Sequence, residues 1–416
     1  MTHANTGRIQ QHLEKMAEFT ATPGEGTTRM SYSPQGQQAR EYIKAQMHAA
    51  GLTVREDAIG NIFGKSAAQD PTLPSVMIGS HFDSVPNGGA FDGPAGVVMG
   101  LEIATLFQEQ RLLPRYPLEV VALVEEEGAS FGRGLLASSA IAGKVDAQEL
   151  HRLQDSRGQS AAQCMAQVGF DADNVASVVR APQTLKAFIE LHIEQGPVLE
   201  QEALDVGLVD VIVGISQLVV TITGKAGHAG TTPMDRRHDA LVAASRVIAS
   251  VGDFARQAGE ETVATVGKIQ VLPNGANVIP SKVIFTVDIR SKQLDKLQQV
   301  LEQTRACIQQ QAGAGIECRI EQPLLVEPTR LDAGIHGLLK KHSEALGLGH
   351  RTMVSGAGHD AMIFAGITNV GLVFVPSKDG LSHHPDEWTD YAQIQKGIDV
   401  IFQTVKELTE ATSHDQ

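Results

Sequence analysis

Short apolar segments alternate with helical ones along most of this chain, and one long β-branched stretch interrupts them. That pattern limits the fold more than any other feature. Apolar spacing at Ile9, Leu13, Met16 and Phe19 predicts an opening amphipathic helix, and residues 35–50 a second one stopped by Gly51. SVMIGS (75–80) reads as a strand, Gly96 to Gln108 as a helix, LEVVALV (118–124) as a buried strand and LLASSAIAG (135–143) as helical. LKAFIELHI (185–193), helix 332–346, strand VGLVFV (370–375) and helix 391–411 continue the alternation. This implies an α/β fold whose mostly parallel sheet is covered by helices on both faces.

Residues 210–326 differ in texture. VDVIVGISQLVVTITG, ETVATVGKIQVL and SKVIFTVDIRS read as long strands, with helical stretches at 236–251 and 292–312 between them. A small α+β domain inserted into a larger one accounts for this. Residues 1–210 and 327–416 would form the large catalytic domain, and 211–326 the insert, a dimerisation and lid domain. Hinges are expected near 207–214 and at the Pro-rich EQPLLVEPTR (321–330).

Charge removes several partners. Lys and Arg number 34 against 48 Asp and Glu, a formal net charge of −14, and no basic tract offsets it. Nothing here would neutralise phosphates or hold an anionic membrane surface, so neither nucleic acid nor membrane is an expected partner. The first thirty residues hold no apolar run of the signal-peptide kind, and no stretch approaches roughly 18 apolar residues. Cys164, Cys307 and Cys318 are too scattered for a disulfide framework or a CxxC site. A cytoplasmic location is expected.

Histidines and carboxylates gather where predicted strands end, the place where open α/β sheets carry their ligands. GSHFDSVPNGGAFDG (79–93) offers His81, Asp83 and Asp92. Imidazole suits zinc-like ions, a carboxylate can bridge two of them, and Asp83 is placed to fix the His81 tautomer. VEEEGASFGRG (124–134) sets three glutamates after a buried strand; like charges this close raise one pKa, which suits a general base. Taken singly, these clusters also read as a capped turn and a solvated acidic loop. ELHIEQGPVLE (190–200) places His192 in an apolar strand, where a satisfied core histidine is the plainer reading. GKAGHAGTTPMDRRHDA (224–240) puts His228 in a small-residue loop; SGAGHDA (355–361) and KDGLSHHPDEW (378–388) complete the set. Six such loops together fit a dinuclear metal site better than six coincidences. No Walker A motif, no GxGxxG after a strand and no GxSxG elbow occurs.

In this order, together with NVIP and DIR, the motifs resemble the amidase/carbamoylase branch of the M20 metallopeptidase-like family, over roughly residues 7 to 410. That branch includes N-carbamoyl-L-amino-acid hydrolases, allantoate amidohydrolases and β-ureidopropionases. The resemblance implies two divalent ions per chain (Zn²⁺, Mn²⁺ or Co²⁺), one on His81 and His192, the other on Glu127 and His383, with Asp92 between them. It makes Glu126 the general base, with Asp83 supporting His81. His228, Asn277 and Arg290 of the insert, with Gln195 and the backbone near Gly358, match substrate contacts. The family has Asn after the last ligand histidine where this chain has His384; alignment on GLSH favours His383. A homodimer acting on a small ureido substrate is implied, with domain closure in turnover.

The activity expected is hydrolysis of the ureido C–N bond of N-carbamoyl-L-amino acids to the amino acid, CO₂ and ammonia. Allantoate amidohydrolase is the alternative. TRMSYSP (28–34) resembles that group's TRLxYSP, whereas GISQLVV (214–220) lacks the adjacent arginines expected for allantoate. β-Ureidopropionase, ordinary peptide hydrolysis and an inactive binding protein on the same fold are weaker alternatives. The last is disfavoured because every expected ligand and Glu126 are present.

Overall fold

The computed structural model describes residues 3–259 and 261–413. The chain divides into two compact units: Met1–Asp210, Leu331–Met353 and His359–Gln416 form the first, Val211–Arg330 and Val354–Gly358 the second. The chain returns at Leu331, where the sequence suggests 327, and the second unit recruits a later segment that no periodicity marks.

Four parallel strands make the centre of the first unit, in the order Leu118–Leu123, Ser75–His81, Leu185–Ile193 and Asn369–Val375. Almost every residue in them is buried, which is why they read as unbroken apolar runs. Antiparallel strands extend the sheet: Ile62–Lys65 and then Thr53–Glu56 at one side, Val206–Ile212 at the other. Successive side chains leave opposite faces of a strand. Leu191 accordingly meets Gly397 of the helix Tyr391–Leu408, while Phe188 stacks on Phe364 of the short helix Asp360–Phe364 at 4.3 Å. Helices therefore cover both faces, and the mostly parallel α/β sheet stands as expected. Among the described residues no helix is long and apolar enough to cross a membrane.

In the second unit, Gly214–Thr223 lies between Lys282–Ser291 and Glu317–Val326, all antiparallel. Burial alternates residue by residue along the first two. Leu218, Val220, Ile222, Val283, Phe285 and Val287 point to one face and pack with the helices Ala240–Ala258 and Leu294–Gln309. Two expected strands are broken. VDVIVGISQLVVTITG divides at Val213, whose N–H donates to Ser355 O (3.0 Å) and so leaves the ladder. ETVATVGKIQVL becomes Val263–Thr265 and Ile269–Leu272, both paired with Lys282–Ser291.

Candidate metal centre

The first unit's acids and histidines converge because its central strands are parallel and end together. His81 terminates Ser75–His81 in register with Leu123, and His192 pairs with Phe374 near the ends of the next two strands. Asp92 precedes the helix Pro94–Glu109, Glu126 and Glu127 follow Leu118–Leu123, and His383 lies in the loop after Asn369–Val375. Asp92 is the hub. Its Oδ1 lies 3.0 Å from His192 Nε2 and 3.5 Å from His81 Nε2; its Oδ2 lies 3.1 Å from His383 Nε2, which is 3.3 Å from Glu127 Oε2.

The two buried imidazoles are oriented by main chain. His81 Nδ1 donates to Asp83 O (3.1 Å) and His192 Nδ1 to Ile193 O (2.9 Å). A carbonyl can only accept, so in the neutral rings the lone pair sits on Nε2, facing Asp92. The Asp83 carboxylate, expected to fix the His81 tautomer, lies beside that ring. It is 3.5 Å from Nδ1 and also accepts the N–H groups of Glu126 (3.1 Å) and Glu127 (3.2 Å). It anchors the glutamate turn, and the strand end supplies the imidazole's acceptor.

Charge is crowded here. Burial alone would raise the Asp92 pKa, but His192, His383 and His81 outweigh it and hold the group well below the usual range. Burial pushes Glu126 well up, with His81 opposing and Asp360, Glu127 and Asp92 reinforcing the shift. Burial also raises Glu127. Hydrogen bonds to Asp92 and Glu127 lift His383 to about 10. Burial and Glu190 bring Asp360 to about 7.

The donor set fits divalent cations. Ligand atoms of His81, Asp92 and His192 lie within 4.8 Å of one another, as do those of Asp92, Glu127 and His383, and those of His81, Glu126 and Glu127. His81 Nε2 and Glu127 Oε1 are buried without a hydrogen-bond partner, a costly state that a cation would relieve. Gly93 makes room: at φ +83°, a Cβ there would lie 2.4 Å from His81 Cε1.

Of the paired histidines, His383 turns inward at φ +54°, whereas His384 accepts from Asp386 N (3.1 Å) outside these groups. Glu125 and Gln195 share the left-handed conformation, at φ +53° and +58°, so backbone strain gathers at this site. Glu125 faces away, accepting from Ser130 Oγ. Gln195 donates from Nε2 to Asp92 Oδ2 (2.8 Å).

The remaining expected residues lie in the second unit, as two pairs. His228 sits on the short strand Gly227–His228 opposite Val278, next to Asn277, whose carbonyl accepts from Ala229 N (2.9 Å). Its exposed ring accepts at Nδ1 from the N–H groups of Gly230 (3.0 Å) and Thr231 (3.2 Å). Arg290 donates from Nε to Asp288 Oδ1 (2.8 Å) and from Nη1 to Gly356 O (2.7 Å), in the segment that ends at Gly358. Sequence reasoning missed Asp360, Ser382 and Glu387. The signal available was an acid inside SGAGHDA and another four residues beyond His383.

Known proteins bear on this arrangement. Residues 77–407 match the family model of peptidase family M20/M25/M40. An N-carbamoyl-L-amino-acid amidohydrolase of Paenarthrobacter aurescens is 43% identical over 97% of this chain and 98% of its own length. The allantoate amidohydrolase of Escherichia coli (strain K12) is 35% identical over 94% and 95%. Among solved structures, a hydantoinase/carbamoylase family amidase from Burkholderia multivorans superposes with a TM-score of 0.91 at 35% identity, covering 98% of both chains. With its parallel sheet, its acid–histidine centre and these matches, the chain belongs to peptidase family M20/M25/M40 and is a hydrolase of that family's hydantoinase/carbamoylase group.

Proposed function

We propose that this enzyme hydrolyses N-carbamoyl-L-amino acids to the amino acid, CO₂ and ammonia, using two divalent ions per chain. The observation that carries the two-ion reading is Asp92, which turns one oxygen to His81 and His192 and the other to His383 beside Glu127. Ions at these positions, when bound, acidify a shared water and polarise the carbonyl under attack. Glu126 takes the water's proton and passes it to the leaving nitrogen. His228 donates Nε2–H to the developing oxyanion, and Arg290 holds the α-carboxylate by its guanidinium fork, assisted by Asn277 and the backbone at Gly358. Gln195 steadies Asp92 as well as touching substrate. The carbamoyl substrate is favoured by the 43% identical relative of that activity. Allantoate is the second reading, favoured by TRMSYSP and the 35% identical relative.

The test is ammonia release from N-carbamoyl-L-methionine, allantoate and β-ureidopropionate, with Mn²⁺, Co²⁺ or Zn²⁺ added. Turnover of allantoate alone would install the second reading. No turnover of any of them by metal-loaded protein would overturn both. We further propose a homodimer formed through the second unit, whose sheet exposes Val263 (53%), Ile269 (51%) and Leu325 (52%). Sedimentation of a monomer at micromolar concentration would overturn that.

A further inference from the structure

Glu387 has no part in the chemistry above, yet it is a carboxylate only 4% exposed. Its Oε1 accepts from the main-chain N–H groups of Phe91 and Asp92, both at 3.0 Å. Its Oε2 lies 3.1 Å from Ser382 Oγ, and that hydroxyl is also 3.0 Å from Asp92 Oδ2. Ser382 immediately precedes His383. One side chain, 295 residues beyond Asp92 in the sequence, therefore joins the backbone of that carboxylate to the loop of His383. The room for it is made by Gly89, where a Cβ would stand 2.1 Å from Glu387 Oε1.

A buried acid next to Asp92 is an expensive choice, because two like charges repel and each needs hydrogen-bond donors. What it supplies is a pair of oxygens at fixed positions, one taking two main-chain N–H groups and the other meeting a hydroxyl. We propose that Glu387 is a positioning residue of the metal centre, a strut that fixes Asp92 and His383 against each other so that the ion between them finds both ligands in place. The proposal rests on the two-ion reading. Groups behind the ligands commonly set metal affinity through such orientation.

The experiment is calorimetric titration of Mn²⁺ into the full-length, chelator-treated and dialysed protein. The parent is expected to bind two ions. In Glu387→Ala the affinity for the weaker one should fall roughly 10- to 100-fold. Glu387→Gln keeps an oxygen for the two N–H groups and should recover most of that loss. Glu119→Gln is the control: Glu119 is equally buried but pairs with Arg180 at 3.0 Å, so this change should lower the melting temperature and leave the Mn²⁺ isotherm in place. Parent-like Mn²⁺ binding by Glu387→Ala overturns the strut, as does a Glu119→Gln shift of equal size or a Glu387→Gln loss as large as that of Ala. A parent that binds no Mn²⁺ overturns the two-ion reading instead. Should the Ala variant not fold, Glu387→Asp draws the carboxylate back by one methylene. Its expected loss, or parent-like affinity, decides the matter in the same way.

Discussion

His81 and His192 in the first unit give their Nδ1 protons to main-chain carbonyls; His228 in the second unit receives main-chain N–H groups at that same nitrogen. The backbone thus sets opposite tautomers. In its neutral form the buried pair presents lone pairs, which suit a cation, and the exposed ring presents an N–H, which suits a carbonyl oxygen on its way to an oxyanion. The surroundings differ in the same sense. Around His81 and His192 the fold packs carboxylates that must be neutralised, whereas His228 stands in a solvated turn of small residues. A histidine's role is therefore written less in the ring than in which main-chain group faces Nδ1.

The most severe way to break this contrast is to remove the cations. Chelation should abolish turnover and Mn²⁺, Co²⁺ or Zn²⁺ should restore it; full activity in a verified metal-free sample would end the lone-pair reading. Next in size is Glu126→Gln, expected to slow turnover by roughly 10²–10⁴-fold with both ions retained. Glu127→Gln should instead weaken one ion. If the two variants exchanged phenotypes, Glu126 would be the ligand and Glu127 the base.

On the second unit's side, His228→Ala should cost roughly 10²–10³-fold in kcat with metal binding unaltered, the scale of one lost oxyanion donor. A metal-binding defect in that variant would mean that the two histidine classes are not separate. Arg290→Lys follows. Losing part of a charge-assisted contact of about 1.5–3 kcal/mol should lower kcat/KM by roughly 10- to 100-fold for carbamoyl amino acids. A carbamoyl amine without the carboxylate should be a poor substrate already and lose little more; equal losses would show that Arg290 serves Asp288 and the Gly356 carbonyl alone. Smallest is Asp239→Ala, which removes the cap on the N–H groups of Leu241 and Val242. About 1 kcal/mol of stability should go, seen as a lower Tm, with Mn²⁺ affinity unchanged.

What the sequence discloses follows from where order is local. SVMIGS, LEVVALV, LKAFIELHI and VGLVFV are legible because parallel strands buried on both faces are apolar throughout. Thr53–Glu56 is not, being a four-residue, mostly exposed edge strand. The break at Val213 is marked locally by nothing more than Gly214, and the partner that causes it is Ser355, far along the chain. At the site, residue types and strand-end positions are legible, but their division into ligand groups came from family resemblance. Within the triplet 125–127, only the folded turn separates Glu125, which bonds Ser130, from Glu126 and Glu127, whose N–H groups Asp83 holds. Glu387 could not be read as a partner of Asp92, because nothing local links them.

One feature of the connection between the units bears on how such an enzyme can change. The chain leaves the first unit at Asp210 and re-enters at Leu331, and Leu331 N donates to Asp210 O at 2.9 Å. Departure and return are neighbours on paired strands, with Ile212 opposite Thr329 and Val211 opposite Arg330. A folded module spliced between two adjacent strand ends asks nothing of the order of the sheet it interrupts. Only Val354–Gly358 ties later sequence to the guest. Host and guest can then be inherited on separate clocks, the guest changing without any reordering of the host's strands.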